Sequence, residues 1–285
     1  MQVYLNGQYL PEGEAFISPA DRGFVFADGV YEVIHAYDGF LFCNDLHANR
    51  LARSMSELRI EPPADFDMAA IAAELIRANG LQSGEATVYI QVTRGAAPRG
   101  HAFPASGTQP TVYGFAKPFE SPAELRKIGC KAVTAPDERW LRCDIKSVSL
   151  LPNVMAKQNA VDAGAYETVL VREGNVTEGS SSNFAAIFDN EWVTAPLGNL
   201  ILPGITREIV LKLCEKLSIR VAENFIPSDS LGGAEEAMIL SSTMEVMPVT
   251  EIDGKSVGNG TPGPHTRRIQ EAFQQWIQQD RAFQA

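Results

Sequence analysis

Four stretches of this sequence hold side chains whose types and spacing suit chemistry. In Arg139-Trp140-Leu141-Arg142-Cys143-Asp144-Ile145-Lys146-Ser147 one lysine sits among Trp, Leu, Cys and Ile. Apolar surroundings disfavour the charged form of an amine, and a neutral amine is what Schiff-base chemistry needs. The plainer reading of Lys146 is a side chain that snorkels to the surface. In Leu202-Pro203-Gly204-Ile205-Thr206-Arg207, Pro-Gly leads into an amphipathic pattern of Ile209, Val210, Leu213, Cys214 and Leu217. The free N–H groups of Ile205 and Thr206, with the Thr206 hydroxyl beside them, would form a phosphate cup; most helix starts bind only water. Glu178 ends the hairpin-like Val176-Thr177-Glu178-Gly179. It suits a carboxylate that keeps a pyridine nitrogen protonated, or a turn. Ser241-Ser242-Thr243 follows the apolar strand 237–240, where hydroxyls either complete a phosphate site or form a turn.

Other motifs are set aside on physical grounds. Gly258-Asn259-Gly260-Thr261-Pro262-Gly263 matches the dinucleotide glycine pattern, but too little chain follows for a βαβ unit with its ribose-binding acid. Gly179-Ser180-Ser181-Ser182-Asn183 lacks the elbow glycine of a serine hydrolase and reads as a polar, hydrogen-bonding loop. His35, His47, His101 and His265 never pair at helical spacing, and no C-x-x-C occurs, so no metal site is expected.

The elements that must position these residues follow from pattern. Asn6-Gly7 predicts a hairpin between short strands 3–5 and 8–10. Strands are expected at 30–37, 40–42, 87–93 and 111–115. Asn44 is expected to cap a helix to about Leu58, and Asp67 one ending at Asn79-Gly80. Ser121-Pro122-Ala123-Glu124 reads as a capping box opening another. Later helices are expected at about 149–163, 206–217 and 264–277, and strands at 168–172, 184–188, 237–240 and 248–252. The reading is a mixed α/β (α+β) chain of two domains: 1–118, a linker at 119–123, and 124–285.

Composition narrows function further. In 285 residues, 24 basic against 35 acidic side chains give a net charge of −11, which argues against general affinity for nucleic acid or anionic membrane. Only eight lysines occur, none before Lys117, so the first third carries seven arginines as its only cationic side chains. Cys43, Cys130, Cys143 and Cys214 are scattered, and Met1 to Gly7 lacks a signal pattern. A reducing, cytoplasmic setting is the expectation.

In order along nearly the whole chain stand Asp21-Arg22-Gly23, Asp28-Gly29-Val30-Tyr31-Glu32, Gln91-Val92-Thr93-Arg94-Gly95, Pro98-Arg99-Gly100-His101, Arg139 to Ser147, Asn153-Val154-Met155-Ala156-Lys157-Gln158, Thr177-Glu178-Gly179, Ser182-Asn183, Leu202 to Thr206, and Ser241 to Pro248. This set resembles the class IV (fold type IV) pyridoxal-phosphate aminotransferases, and within them the D-amino acid group. The resemblance implies a smaller N-terminal α/β domain and a larger C-terminal one, with pyridoxal 5′-phosphate at their interface. It implies that Lys146 forms the Schiff base and shuttles the proton, and that Glu178 pairs with the ring nitrogen. Arg50, Ile205, Thr206 and Ser242 would surround the phosphate, Leu202 would pack on the ring, and Ser241 would belong to the cofactor-binding set. Tyr31, Arg99 and His101 would bind the substrate carboxylate, the last two donated by the neighbouring subunit of a homodimer. Val33 and Ser181 would lie near the substrate. Ser242 stands where relatives carry threonine, and Met244 where a polar or charged residue is common. The implied activity is ping-pong transfer of an amine from a D-amino acid, D-alanine or D-glutamate, to 2-oxoglutarate or pyruvate. The alternatives are a branched-chain L-amino acid aminotransferase, an aminodeoxychorismate lyase, or a non-catalytic binding protein of the same fold. Arg99-Gly100-His101 favours the D-amino acid reading, and Lys146 argues against the last.

Overall fold

Asn6 and Gly7 both take left-handed backbone angles (φ 48° and 89°), which a tight two-residue hairpin requires, and join β1 (Gln2–Leu5) to β2 (Gln8–Pro11). The computed structural model describes residues 1–284. Contacts divide it into two units: Met1–Glu120 with Ile145–Ser149, and Ser121–Asp144 with the chain from Leu150. A division into contiguous segments at 119–123 does not accommodate Ile145–Ser149, which returns to the first unit and takes Lys146 with it. The reason is local. Ile145 joins the first unit's apolar core, and backbone bonds run from Tyr31 to the Lys146 carbonyl (3.0 Å) and from Val148 to the Gly29 carbonyl (3.0 Å).

The first unit is an antiparallel sheet in the order β2-β1-β6-β5-β3-β4, with β3 at Gly29–Tyr37, β4 at Phe40–Leu41, β5 at Glu85–Thr93 and β6 at Thr111–Pro118. Short α1 (Arg22–Phe26), α2 (Asn44–Glu57) and α3 (Met68–Ala78) accompany it. Helix α3 buries Met68, Ile71, Ala72, Leu75 and Ile76 at helical spacing against the sheet, each large side chain contributing roughly 1.5–3 kcal/mol. Asp67 caps it, accepting from the Ala70 amide at 3.0 Å. Helix α2 corrects the expected cap. Asn44 is already helical, and Cys43 before it sits at φ 50° with no side-chain cap. Phe42 is still bonded to His35 of β3 (3.0 Å), so one residue must reverse the chain.

The second unit is a mixed sheet in the order β12-β11-β10-β14-β15-β7-β8-β9-β13, with β16 on β15. Its strands are β7 (Cys130–Pro136), β8 (Glu167–Arg172), β9 (Asn175–Gly179), β10 (Asn183–Phe188), β11 (Glu191–Thr194), β12 (Arg220–Glu223), β13 (Ile226–Pro227), β14 (Glu236–Ser241), β15 (Glu245–Ile252) and β16 (Lys255–Ser256). Its helices are α4 (Ala123–Ile128), α5 (Leu151–Asp162), α6 (Ile205–Lys216) and α7 (Pro264–Gln284). Helix α5 lies between β7 and β8, and α6 between β11 and β12. Both strand pairs are parallel, which demands a crossover of this kind. The expected capping box at Ser121 does not form; α4 begins after Pro122 with no side-chain cap. Among the described residues no helix is long and apolar enough to cross a membrane, and no His, Cys, Asp and Glu cluster could hold a metal.

Candidate active site

Lys146 is held by its backbone beside β3, its amide donating to the Ser54 hydroxyl at 3.3 Å. Its Nζ lies 4.4 Å from the centre of the Tyr31 ring, which stacks on Tyr89 at 5.5 Å. Strand alternation puts Tyr31 and Val33 on one face of β3, half-buried, and Glu32 and Ile34 on the other, fully buried. Glu32 meets α2. Arg50 donates to both its carboxylate oxygens from Nε and Nη2 (2.7 and 2.8 Å), and His47 Nδ1 approaches Oε2 at 2.7 Å. Burial works against the Glu32 charge, but Arg50 and His47 outweigh it and hold the carboxyl far below the ordinary range. Burial lowers the His47 pKa despite Glu32. The expected phosphate ligand Arg50 is therefore anchored from inside its own unit.

Arg99 and His101 are exposed on the loop between β5 and β6. Both face one aromatic ring, Phe26 at the end of α1. The Arg99 guanidinium lies 5.2 Å from its centre, and the His101 ring 5.6 Å centre to centre.

In the second unit, Glu178 of β9 is buried. Its Oε2 accepts from the Leu202 amide (3.0 Å) and Asn183 Nδ2 (2.9 Å), and its Oε1 from Arg139 Nη1. Burial pushes the carboxyl up to about 7, with Arg139 offsetting only part of the cost. Arg139 is shared. Asp137 takes its Nε and Nη2 at 2.9 and 2.8 Å, and also binds Arg172 (3.0 Å) and the Thr177 hydroxyl (2.9 Å). Burial raises Asp137, yet these partners bring it down to about 2.

The same Asn183 donates to the Leu202 carbonyl at 2.9 Å and lies against Gly204, where an added Cβ would fall 1.9 Å from Asn183 Oδ1. Gly204 then opens α6 with no side-chain cap. Ile205 and Thr206 are its first, buried residues, one position earlier than the sequence pattern suggests. One short path thus links the Glu178 carboxylate to a helix start whose first N–H groups have no partner inside the helix. Ser241 ends β14 and accepts from the Met244 amide at 3.2 Å; Ser242 follows, half-buried. Met244 is buried in the apolar core of this unit, a place for a thioether rather than a charge.

The serine run is organised by a residue the sequence did not single out. Glu167, fully buried at the start of β8, accepts from the hydroxyls of Ser180, Ser181 (3.3 Å) and Ser182 (3.0 Å), and from the Ser180 amide (3.2 Å).

The model of the amino-transferase class IV family matches residues 29–252, most of the chain. The chain belongs to the class IV aminotransferases. Among curated proteins it is 44% identical over 278 residues to the D-alanine aminotransferase of Bacillus licheniformis, covering 97% of each chain. It is 42% identical to that of Staphylococcus haemolyticus, covering 97% of this chain and 98% of the other. Among solved structures it is similar to the branched-chain amino acid aminotransferase of Escherichia coli, with TM-score 0.88, 26% identity, and coverage of 97% of this chain and 94% of that one. The branched-chain aminotransferase of Thermoproteus uzoniensis gives TM-score 0.85 and 28% identity at 97% and 94% coverage. The fold is therefore that of a fold type IV aminotransferase, and the chain is an enzyme of that reaction class.

Within this class IV enzyme the first unit carries Tyr31, Val33, Arg50, Arg99, His101 and Lys146. The second carries Glu178, Ser181, Leu202, Ile205, Thr206, Ser241 and Ser242. Sequence reasoning missed Glu32, His47, Asp137, Arg139 and Glu167. Their signal exists only in part: Glu32 and Arg139 lie inside quoted motifs, but a buried carboxylate's partners come from other elements and leave no spacing to read.

Proposed function

We propose that this aminotransferase moves the amino group of a D-amino acid, D-alanine or D-glutamate, to 2-oxoglutarate or pyruvate in two half-reactions, with pyridoxal 5′-phosphate as cofactor. One observation carries the choice of D-amino acids: Arg99 and His101 stand side by side over Phe26. A guanidinium fork grips a carboxylate at two points, and a neighbouring imidazole adds a third. Where the carboxylate is fixed, the Cα–H presented to the lysine is decided, and handedness follows.

The residues present fit the cofactor. An uncapped helix start with buried Thr206, reached by a glycine where an added Cβ would displace Asn183, suits a phosphate group. A buried carboxyl raised to about 7 suits a basic ring nitrogen. Ile205, Thr206, Ser241, Ser242 and Arg50 would hold the phosphate, Leu202 the ring face, Glu178 the ring nitrogen, and Lys146 the reactive carbon. When bound, the cofactor supplies the electron sink for charge developing at the substrate Cα. Lys146 Nζ moves the proton to and from that carbon. Glu178 would pair with the ring nitrogen and keep it protonated. Tyr31 and Val33 line the substrate side of β3, and Ser181, tied to Glu167, offers its hydroxyl near the carboxylate. Arg99 and His101, both exposed on their own chain, would serve the neighbouring subunit of a homodimer. The four cysteines, all buried and none in a disulfide, suit a reducing cytoplasm.

A paired assay tests the reading: D-alanine and L-leucine as donors, each with 2-oxoglutarate. D-alanine is expected to turn over faster. Preference for L-leucine would sink the assignment and favour the branched-chain reading.

A further inference from the structure

Of the seven arginines before Lys117, the proposed function uses two, Arg50 and Arg99. Three of the others converge on one place. Arg22 and Arg94 are buried and share the Asp28 carboxylate: Arg22 Nε donates to Oδ2 at 2.8 Å, and Arg94 donates through Nε to Oδ2 (2.8 Å) and Nη2 to Oδ1 (2.9 Å). Both also donate to backbone carbonyls. Arg22 Nη1 reaches the carbonyls of Gly100 (2.7 Å) and Ala102 (3.4 Å), on either side of His101. Arg94 reaches those of Arg59 (2.9 Å) and Leu58 (2.7 Å) at the end of α2. The Arg94 guanidinium also lies 3.7 Å from the centre of the Phe103 ring, with Arg59 at 4.7 Å. Arg22 covers Phe26 at 4.8 Å, the ring that Arg99 and His101 share.

The base of this loop is fixed separately. Arg22 N donates to Gly95 O (2.9 Å), and Ala97 N to Ala20 O (3.2 Å). Gly95 sits at φ 90° so close to Gln109 that a Cβ would fall 1.9 Å from its carbonyl oxygen. Beyond Ala97 the chain belongs to neither strand nor helix until β6. What holds residues 99–103 is therefore a set of side chains reaching in from α1, from Arg94 just after β5, and from Arg59 just beyond α2. A loop ordered only when substrate arrives would pay for that ordering in affinity.

We propose that Arg22, Asp28, Arg94 and Phe103 are positioning residues that hold the 99–103 loop ready, and so set the affinity for the substrate carboxylate without touching it. This rests on the reading that Arg99 and His101 bind that carboxylate. Guanidinium suits the task where ammonium does not, because one planar fork must serve Asp28 and a backbone carbonyl at once.

The test uses the holoenzyme with Arg22→Met, Arg22→Lys, Phe103→Ala and, as reference, Arg99→Ala. Arg22→Met should raise KM for D-alanine about tenfold, the loss expected from one charged hydrogen bond, with kcat held within about twofold. Arg22→Lys should recover part of that KM. Phe103 is partly exposed, so Phe103→Ala keeps the fold if Arg22→Met does not, and should shift KM in the same direction. Amide hydrogen exchange over 96–104 should quicken in Arg22→Met and Phe103→Ala while β3 and β5 stay protected. Unchanged loop exchange in both, or a fall in kcat at constant KM, would overturn the proposal. An unchanged KM in Arg99→Ala would overturn the carboxylate reading instead, and the exchange data would still judge whether these residues hold the loop.

Discussion

Lys146 and Glu178 are single side chains whose surroundings decide what they can do. The Lys146 amine sits over the Tyr31 ring on a backbone tied to β3, so replacing the side chain removes chemistry and leaves its frame. Lys146→Ala should still take up pyridoxal phosphate, followed by fluorescence quenching, while turnover falls ~10²–10⁴-fold, the range for losing a general acid–base; normal steady-state turnover would contradict the role. Glu178 supplies a pH test. Its folded value of about 7 lies above the ordinary 4.5, so between the two the folded, cofactor-free chain binds more protons than the unfolded one. Its contribution to stability is fully present below the ordinary value and is lost as pH rises through the folded one. The melting temperature of cofactor-free Glu178→Gln should therefore gain on the parent protein between about pH 5 and pH 8. A gap that stays constant with pH would count against a raised carboxyl. Glu32 has the opposite sign: its lowered value adds stability above the ordinary carboxylate range, lost on acidification.

The start of α6 and the strand ends around it form the element on which cofactor binding is proposed to rest. Gly204 is required there because Asn183, pinned by Glu178 and Leu202, occupies the space of a Cβ. Gly204→Ala should push Asn183 away, loosening both the phosphate cup and the acid; the expected result is about tenfold or greater loss of pyridoxal phosphate affinity in equilibrium dialysis, with little change in far-UV circular dichroism. Retained affinity would show that the cup tolerates the shift. Most elements here were legible from pattern: the Asn6-Gly7 hairpin, the Asp67 cap and Asn79-Gly80 end of α3, and the apolar spacing of α6. The failures share a cause. Asn44 and Ser121 are good capping residues by type, but the chain direction entering α2 and α4 is set by neighbouring strands and Pro122, and neither side chain caps its helix. Helix α1 has only five residues and stands on the bonds of Asp21 and Arg22, which no periodicity reveals.

At the scale of the molecule, the proposed dimer predicts complementation. If Lys146 acts in its own subunit and Arg99 in the neighbour's, mixing Lys146→Ala with Arg99→Ala chains creates hybrids with one intact site and one doubly broken site. Random reassociation should restore about a quarter of wild-type activity, since half the dimers are hybrids with one working site each. No recovery after subunit exchange would place Arg99 in its own chain's site. The acidic net charge, which argues against nucleic acid and anionic membrane, does not bar the small anions proposed as ligands, because these would meet local cations.

The sequence alone determined the family, the order of the motifs, and the identity of Lys146, Glu178, Arg99 and His101 as the residues to test. These are carried by side-chain type and local spacing, and such signals survive in one dimension. Only the tertiary structure decided that Ile145–Ser149 leave their sequence neighbours for the first unit. Only it showed that Glu178 is held by Arg139, itself clamped by Asp137, and that Glu167 gathers three serines. It also placed Arg22 and Arg94 on one aspartate beneath the 99–103 loop. Ile145–Ser149 follow an apolar side chain and backbone bonds into the first unit; in the other three cases a buried charge must find its partner, and that partner comes from whichever element folding brings alongside, at no fixed distance in sequence.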